Sequence, residues 1–277
     1  MRVRSILLVA SIFGSIFGSI LADAAFGATK IDAKRSRLTI KNTATENASL
    51  VISYPVERNE SGISLEDTVK TIGEIALLNT GSREFLATDF AWDFDWSKPW
   101  LGAGSQRREA SLTETSKPVF SIMLWGGFIR ATGMTLPALE FTICHEFGHF
   151  LGGDPHQIFS DEIIHWSSAE GQADWWAATV CLPKLYRSRG MSNADATLRI
   201  RQSGQDFAHF ANIQFERGSI AAGLENRATE TPAATLTLAY PTTQCRLDTI
   251  ADGATCAFAS PMQQPKACTR PRCWFAP

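Results

Sequence analysis

The chain has 277 residues, 44% of them hydrophobic and 19% charged, with a net charge of −2. That length suffices for an ample core in one large domain or two small ones. The composition excludes a disordered chain and a polytopic membrane protein, and the near-neutral charge points away from a nucleic-acid partner.

The N-terminus reads as an export signal. Arg2 and Arg4 precede an apolar run from Ile6 to Leu21 that only Ser and Gly interrupt, and Ala22-Asp23-Ala24 follows as a small-residue cleavage pattern. Ser and Gly weaken the run as an anchor, so no stable membrane span is expected after cleavage. The expected location is periplasmic or secreted. Six cysteines, an even number in an exported chain, then read as disulfide partners: Cys144, Cys181, Cys245, Cys256, Cys268 and Cys273.

Taken in order, Arg37 to Ile40 and Ser49 to Tyr54 carry strand patterns. Asn47 and Asn59 open glycosylation triplets, which marks them as surface positions. Ser64 can cap a helix with Asp67 three residues on, running through Ile72, Ile75 and Leu78 to Gly81. Asp89 to Trp100 reads D-F-A-W-D-F-D-W-S-K-P-W. It is either a strand whose aromatics cover the core or the wall of a substrate cleft or cation loop, and the alternation favours the strand. Residues 102–117 are polar and expected as a loop. Pro118 to Trp125 is a strand ended by Gly126-Gly127.

A helix is expected over 136–151, with Thr135 as N-cap, Pro137 in the first turn and Gly152-Gly153 at the end. Residues 154–168, holding His156 and His165, form a long loop. A second helix runs from Glu170 to Cys181, capped by Ser167 or Ser168 and stopped by Pro183. Glu170, Asp174, Ala177 and Cys181 share one of its faces. A further helical pattern spans 194–215, a short strand 235–240, and the cysteine-rich tail begins at Pro241.

The chemistry concentrates in the first of these helices. His145-Glu146-Phe147-Gly148-His149 is an H-E-x-x-H arrangement. Residues four apart lie on one helix face, so both imidazoles reach one metal ion, and Glu146 projects beside them where a carboxylate can take a proton from metal-bound water. Two histidines and a glutamate in an otherwise apolar helix are costly to bury without a partner.

An H-E-x-x-H helix followed by an E-x-x-x-D helix resembles the gluzincin peptidases, the thermolysin-like clan. The blocks H-E-F-G-H-F-L-G-G, E-G-Q-A-D and Q-C-R-L-D-T together look like a group of exported bacterial proteins of that type. The likeness covers 119–273 at intervals; residues 25–117 match no motif. It implies an α+β, zincin-like domain with a metal-binding helix, a second ligand helix and a small upstream β-sheet. It also implies Zn2+ as cofactor, held by His145, His149 and Glu170, with Glu146 as the base and Asp174 supporting His145. The function implied is exported zinc-dependent hydrolysis of protein or peptide substrates through a zinc-bound water. Pro118 to Trp125 would be the edge strand that pairs with an extended substrate, although a simple core strand reads equally well. The division expected is a signal peptide over 1–24, a catalytic domain over 25–240 and a cysteine-rich segment packed on it over 241–277. The alternative is an exported binding or structural protein with a structural or vestigial zinc site.

A metzincin would place its third histidine at position 155, but Pro155 stands there and His156 comes one residue late. His156, His165, His209, Tyr186 and Tyr240 are unranked candidates for stabilising an oxyanion. If Asp174 meets His145, Cys144 and Cys181 lie close enough to bridge. The remaining four would pair among themselves, with Cys245–Cys256 and Cys268–Cys273 as the suggested bonds.

Overall fold

Two small sheets and a run of helices make an α+β arrangement in the computed structural model, which describes residues 10–11, 59–79, 89–108, 119–159, 162–215, 222–229 and 240–275. The strand patterns over 37–40 and 49–54, all but the last residue of that over 235–240, the Asn47 triplet and most of the expected leader lie outside these residues.

The larger sheet contains β1 (Ala10–Ser11), β2 (Asp89–Asp95), β3 (Ala103–Arg108) and β4 (Val119–Trp125), in the order β1-β3-β4-β2. Only β2 and β4 run parallel. Successive side chains alternate between sheet faces. Trp92 and Phe94 of β2 are therefore buried while Asp93 is exposed, and Trp92 packs edge-on against Phe147 at 5.9 Å. The aromatic-acidic stretch is a strand, as its alternation indicates.

Two expectations for this sheet need correction. β4 lies between β2 and β3, so 118–125 is an interior strand rather than an edge, in keeping with its near-continuous apolar run V-F-S-I-M-L-W. The polar loop expected over 102–117 is partly β3. Its sequence A-G-S-Q-R-R lacks large apolar residues, yet Ala103, Gly104 and Ser105 are buried.

Helix α1 (Leu65–Asn79) opens on a reciprocal cap: the Ser64 amide donates to Asp67 Oδ2 at 2.9 Å and the Asp67 amide to Ser64 Oγ at 3.1 Å. Asn59 is not the surface acceptor its triplet suggests. Its buried amide donates to the carbonyls of Ile129 and Met134 at 3.0 and 2.9 Å, tying this segment to the turn beyond the short α2 (Gly126–Ile129).

Helix α3 (Leu136–Leu151) has the bounds read from sequence, with Thr135 accepting from the Ala138 amide, Pro137 in its first turn and Gly152 as C-cap. Every residue from Pro137 to Phe150 is buried, so it runs through the centre of the molecule. The long loop expected next is instead a hairpin, β5 (His156–Phe159) paired with β6 (Glu162–Ser168). Ser167 and Ser168 therefore belong to a strand, and the N-cap of α4 (Glu170–Trp176) is Ala169, with no side-chain cap. Pro183 does not end the helical run. A π-turn over Ala177–Cys181 leads into α5 (Leu182–Ser188), where Pro183 occupies the first turn.

Helix α6 (Asn193–Gln214), capped by Ser192, packs beside α3. The C-terminal segment is more than a cysteine-rich tail. It forms α7 (Thr243–Ala257), which buries Cys245, Leu247, Ile250 and Ala254, followed by the short α8 (Gln264–Ala267).

Cys144 is bonded to Cys181, joining α3 to the π-turn. The suggested tail pairing is overturned: the bonds are Cys245–Cys273 and Cys256–Cys268. Because 245–257 is helical, Cys245 and Cys256 are separated along its axis, and each reaches the returning chain instead. Three disulfides fit an oxidising compartment. Among the described residues no helix is long and apolar enough to cross a membrane.

Candidate metal centre

A glycine sets the geometry. At Gly148, inside the H-E-x-x-H pentapeptide, an added Cβ would stand 2.6 Å from the carbonyl oxygen of Ala173. Helices α3 and α4 touch there backbone to backbone. His145 and His149 flank that point on one side, Glu170 and Asp174 on the other. His145 Nε2 lies 3.2 Å from Glu170 Oε2, and His149 Nε2 lies 3.6 Å from Glu170 Oε1. One ligand atom from each of the three residues falls within 4.8 Å of the others, a group able to hold a metal ion.

The outer nitrogens are committed elsewhere. His149 Nδ1 donates to the Ser168 carbonyl at 2.8 Å, which leaves the Nε2 lone pair facing the cluster. His145 Nδ1 is 2.7 Å from Asp174 Oδ1, so Asp174 meets His145 across the helix contact.

Three supporting residues could not be found from sequence. Arg246, from α7, donates through Nε to Asp174 Oδ2 at 2.8 Å and through Nη2 to Oδ1 at 2.6 Å, while its guanidinium lies 4.7 Å from the centre of the Phe207 ring. Gln157, from β5, donates to Glu170 Oε1 at 3.1 Å and accepts from Ser167 at 3.1 Å. Ser105, from β3, donates to Glu146 Oε2 at 2.6 Å. The Q-C-R-L-D-T block points to Arg246 only as part of a pattern. Nothing local distinguishes Gln157 or Ser105 from surface residues.

Burial and charge set the proton affinities. Burial alone would lower His145, but the Asp174 charge and hydrogen bond, with Glu170, carry it up to about 9. Burial lowers His149 to about 4 against the pull of Glu170. For Glu170, burial is outweighed by the two histidines, which hold it below the usual carboxylate range. Asp174, buried but facing Arg246 and His145, is held at about 2. Burial pushes Glu146 up to about 7 against His145 and the Ser105 hydrogen bond.

Four buried atoms in this place have no hydrogen-bond partner among the described residues: His145 Nε2, His149 Nε2, Glu170 Oε2 and Glu146 Oε1. The 3.2 Å approach of His145 to Glu170 couples their charges without hydrogen-bond alignment. Unpaired polar atoms in a packed interior are costly, and a cation between the first three satisfies them, so the donor set fits a divalent metal.

The other candidates separate clearly. His156 lies 3.3 Å from Asp154 and packs against the His165 ring at 5.9 Å, apart from the ligand group. His209 is exposed on α6. Tyr186 donates to Glu140 at 2.8 Å and sits 3.0 Å from Ser203 in a separate polar cluster. Tyr240 alone of the five is placed beside Glu170 and Glu146; burial and those two carboxylates push its ionisation upward, so it remains a neutral hydroxyl donor.

Comparison with known proteins gives no match to a family model, a curated protein or a solved structure.

Proposed function

We propose that the protein is an exported zinc-dependent metallopeptidase of gluzincin type, with a zincin-like fold, in which His145, His149 and Glu170 hold the metal. The observation that carries this reading is the convergence of four unpartnered buried atoms from the two histidines and two glutamates. Two imidazole nitrogens and a carboxylate suit zinc, and three protein ligands leave a fourth position open, as catalytic sites do.

Zinc bound there would supply the Lewis acidity that makes water a nucleophile near neutral pH and polarises a substrate carbonyl. Glu146, with Oε1 free of other bonds, takes the proton from the attacking water and later gives it to the leaving amine. Burial raises its proton affinity above that of an ordinary carboxylate. Tyr240, whose neutral hydroxyl lies beside Glu170 and Glu146, is the side chain we assign to donate to the oxygen on which negative charge develops. An extended peptide would add to the sheet at the outer edge of β3, where Gly104 and Ser105 pair with Ser11 and Ala10. Cleavage after Ala24 would remove those two residues and bare that edge.

The test is cleavage of an unstructured protein such as casein by the zinc-loaded chain, with and without chelator, beside Glu146→Gln. Chelator-sensitive cleavage that Glu146→Gln abolishes, with zinc still bound, is the expected result. A zinc-loaded wild-type chain that cleaves nothing would favour the non-enzymatic alternative instead.

A further inference from the structure

Across the larger sheet, Trp92 of β2, Ile122 of β4 and Ser105 of β3 lie in one row, because Ile122 is the register partner of both other residues. All three are buried, and the row faces α3, where Trp92 meets Phe147. Two members of the row do apolar packing. The third, fully buried at 0% exposure, is a hydroxyl that meets the residue next to Phe147.

Its contacts are specific. Ser105 Oγ is 2.6 Å from Glu146 Oε2 and 2.8 Å from the main-chain oxygen of the same residue. The hydroxyl's single proton goes to the nearer acceptor, the Oε2 of Glu146, while the main-chain oxygen of the same residue stands within reach of it. A carboxylate reached in this way cannot rotate about its last bonds without losing a short hydrogen bond in a dry interior. The tie uses only one oxygen. Oε1 has no partner among the described residues, as is true of the ligand atoms beside it.

We infer that Ser105 is a positioning residue for Glu146, holding Oε2 so that Oε1 stays directed into the metal cluster. The inference rests on the hydrolytic reading for its consequence in catalysis, though not for the geometry. It also ties the base to the strand whose outer edge would receive the peptide. Substrate and base are thereby referred to the same backbone.

Ser105→Ala removes the tie and little volume, and Ser105→Thr keeps the donor. Each variant, loaded with zinc, is expected to hold one ion per chain, because the Ser105 hydroxyl bonds to Glu146 and not to the ligand group. On casein or a peptide derived from it, Ser105→Ala should lose roughly 10- to 100-fold in kcat with KM little changed, as a misplaced catalytic group does. Ser105→Thr should recover most of that loss. An unchanged kcat in Ser105→Ala, or a Thr variant as slow as Ala, would overturn the inference.

Crystal structures of wild type and Ser105→Ala give a readout independent of turnover. The Glu146 carboxylate should shift or split into two conformers in the variant. If it stays in place, the hydroxyl does not position it. Should the wild type cleave nothing, the peptidase reading fails by itself and the crystallographic comparison still decides the role of Ser105.

Discussion

Removing Arg246 would leave the Asp174 carboxylate buried with His145 as its remaining charge partner. Breaking one side of a buried pair costs about 3–5 kcal/mol, whereas the intact pair contributes less than that because both charges were taken from water. Arg246→Ala should therefore lower stability in urea by that amount and weaken metal binding about 10–100-fold, as loss of ligand support typically does. Arg246→Lys should fall between, since an ammonium cannot grip both carboxylate oxygens at once. Equal affinity in all three proteins would show that the guanidinium has no part in the centre. The proton on His145 gives a second expectation. Asp174 carries that histidine up to about 9, so at neutral pH it holds a proton that any metal must displace. Zinc affinity should rise with pH through 7 and 8 and level off above about 9, with proton release detectable by calorimetry in buffers of different ionisation enthalpy. At this scale the sequence is informative where spacing alone defines the chemistry. Four-residue spacing puts His145 and His149 on one face whatever surrounds them. Arg246 lies 101 residues from His145 in the chain, so only tertiary packing of α7 brings the two together.

Between the two ligand helices, the decisive position is Gly148. In an isolated helix Ala is better than Gly by about 1 kcal/mol. Here its Cβ would stand 2.6 Å from Ala173 O, so Gly148→Ala must push α4 away from α3. The expected outcome is weaker zinc binding despite the gain in helix propensity, measured by competition with a chromophoric chelator. Undiminished affinity would mean that the contact does not hold Glu170 in place. The ranking of ligands is tested on the same elements. Glu170→Ala should lose the metal, whereas His156→Ala, whose side chain lies with Asp154 and His165, should keep it. The reverse ranking would remove Glu170 from the site. Helices with apolar periodicity and clear end signals, such as α1 and α3, are legible to within a residue or two. The hairpin of β5 and β6 is not, because His, Trp and Ser along Glu162–Ser168 break the simple two-residue alternation. β3 is hidden in the same way: its inward residues are small or polar because one of them meets Glu146.

In the molecule as a whole, the C-terminal segment braces the candidate metal centre. Trp274 packs where a Cβ on Gly171 would stand, against the helix that carries Glu170 and Asp174, and its indole donates to Thr249 at 2.8 Å. Cys245–Cys273 fixes that tail to α7 at the residue before Arg246. Closing a loop of that length contributes about 3–4 kcal/mol. Replacing both cysteines by Ser should lower stability by about that much and weaken metal binding, whereas loss of Cys256–Cys268, farther along α7, should affect the metal less. Equal effects on metal affinity would argue against the brace. Cysteine number and the expected export signal make bridges legible in the sequence, but the pairing follows from the path of α7 and the return of the chain along it. The central claim is a metal held by two imidazoles and one carboxylate at the meeting of α3 and α4. X-ray absorption and anomalous diffraction on the zinc-loaded protein test it most directly. One zinc per chain is predicted between His145, His149 and Glu170, with nitrogen ligands at about 2.0–2.1 Å. Zinc absent from that position, or bound instead at His156 and His165, would contradict it.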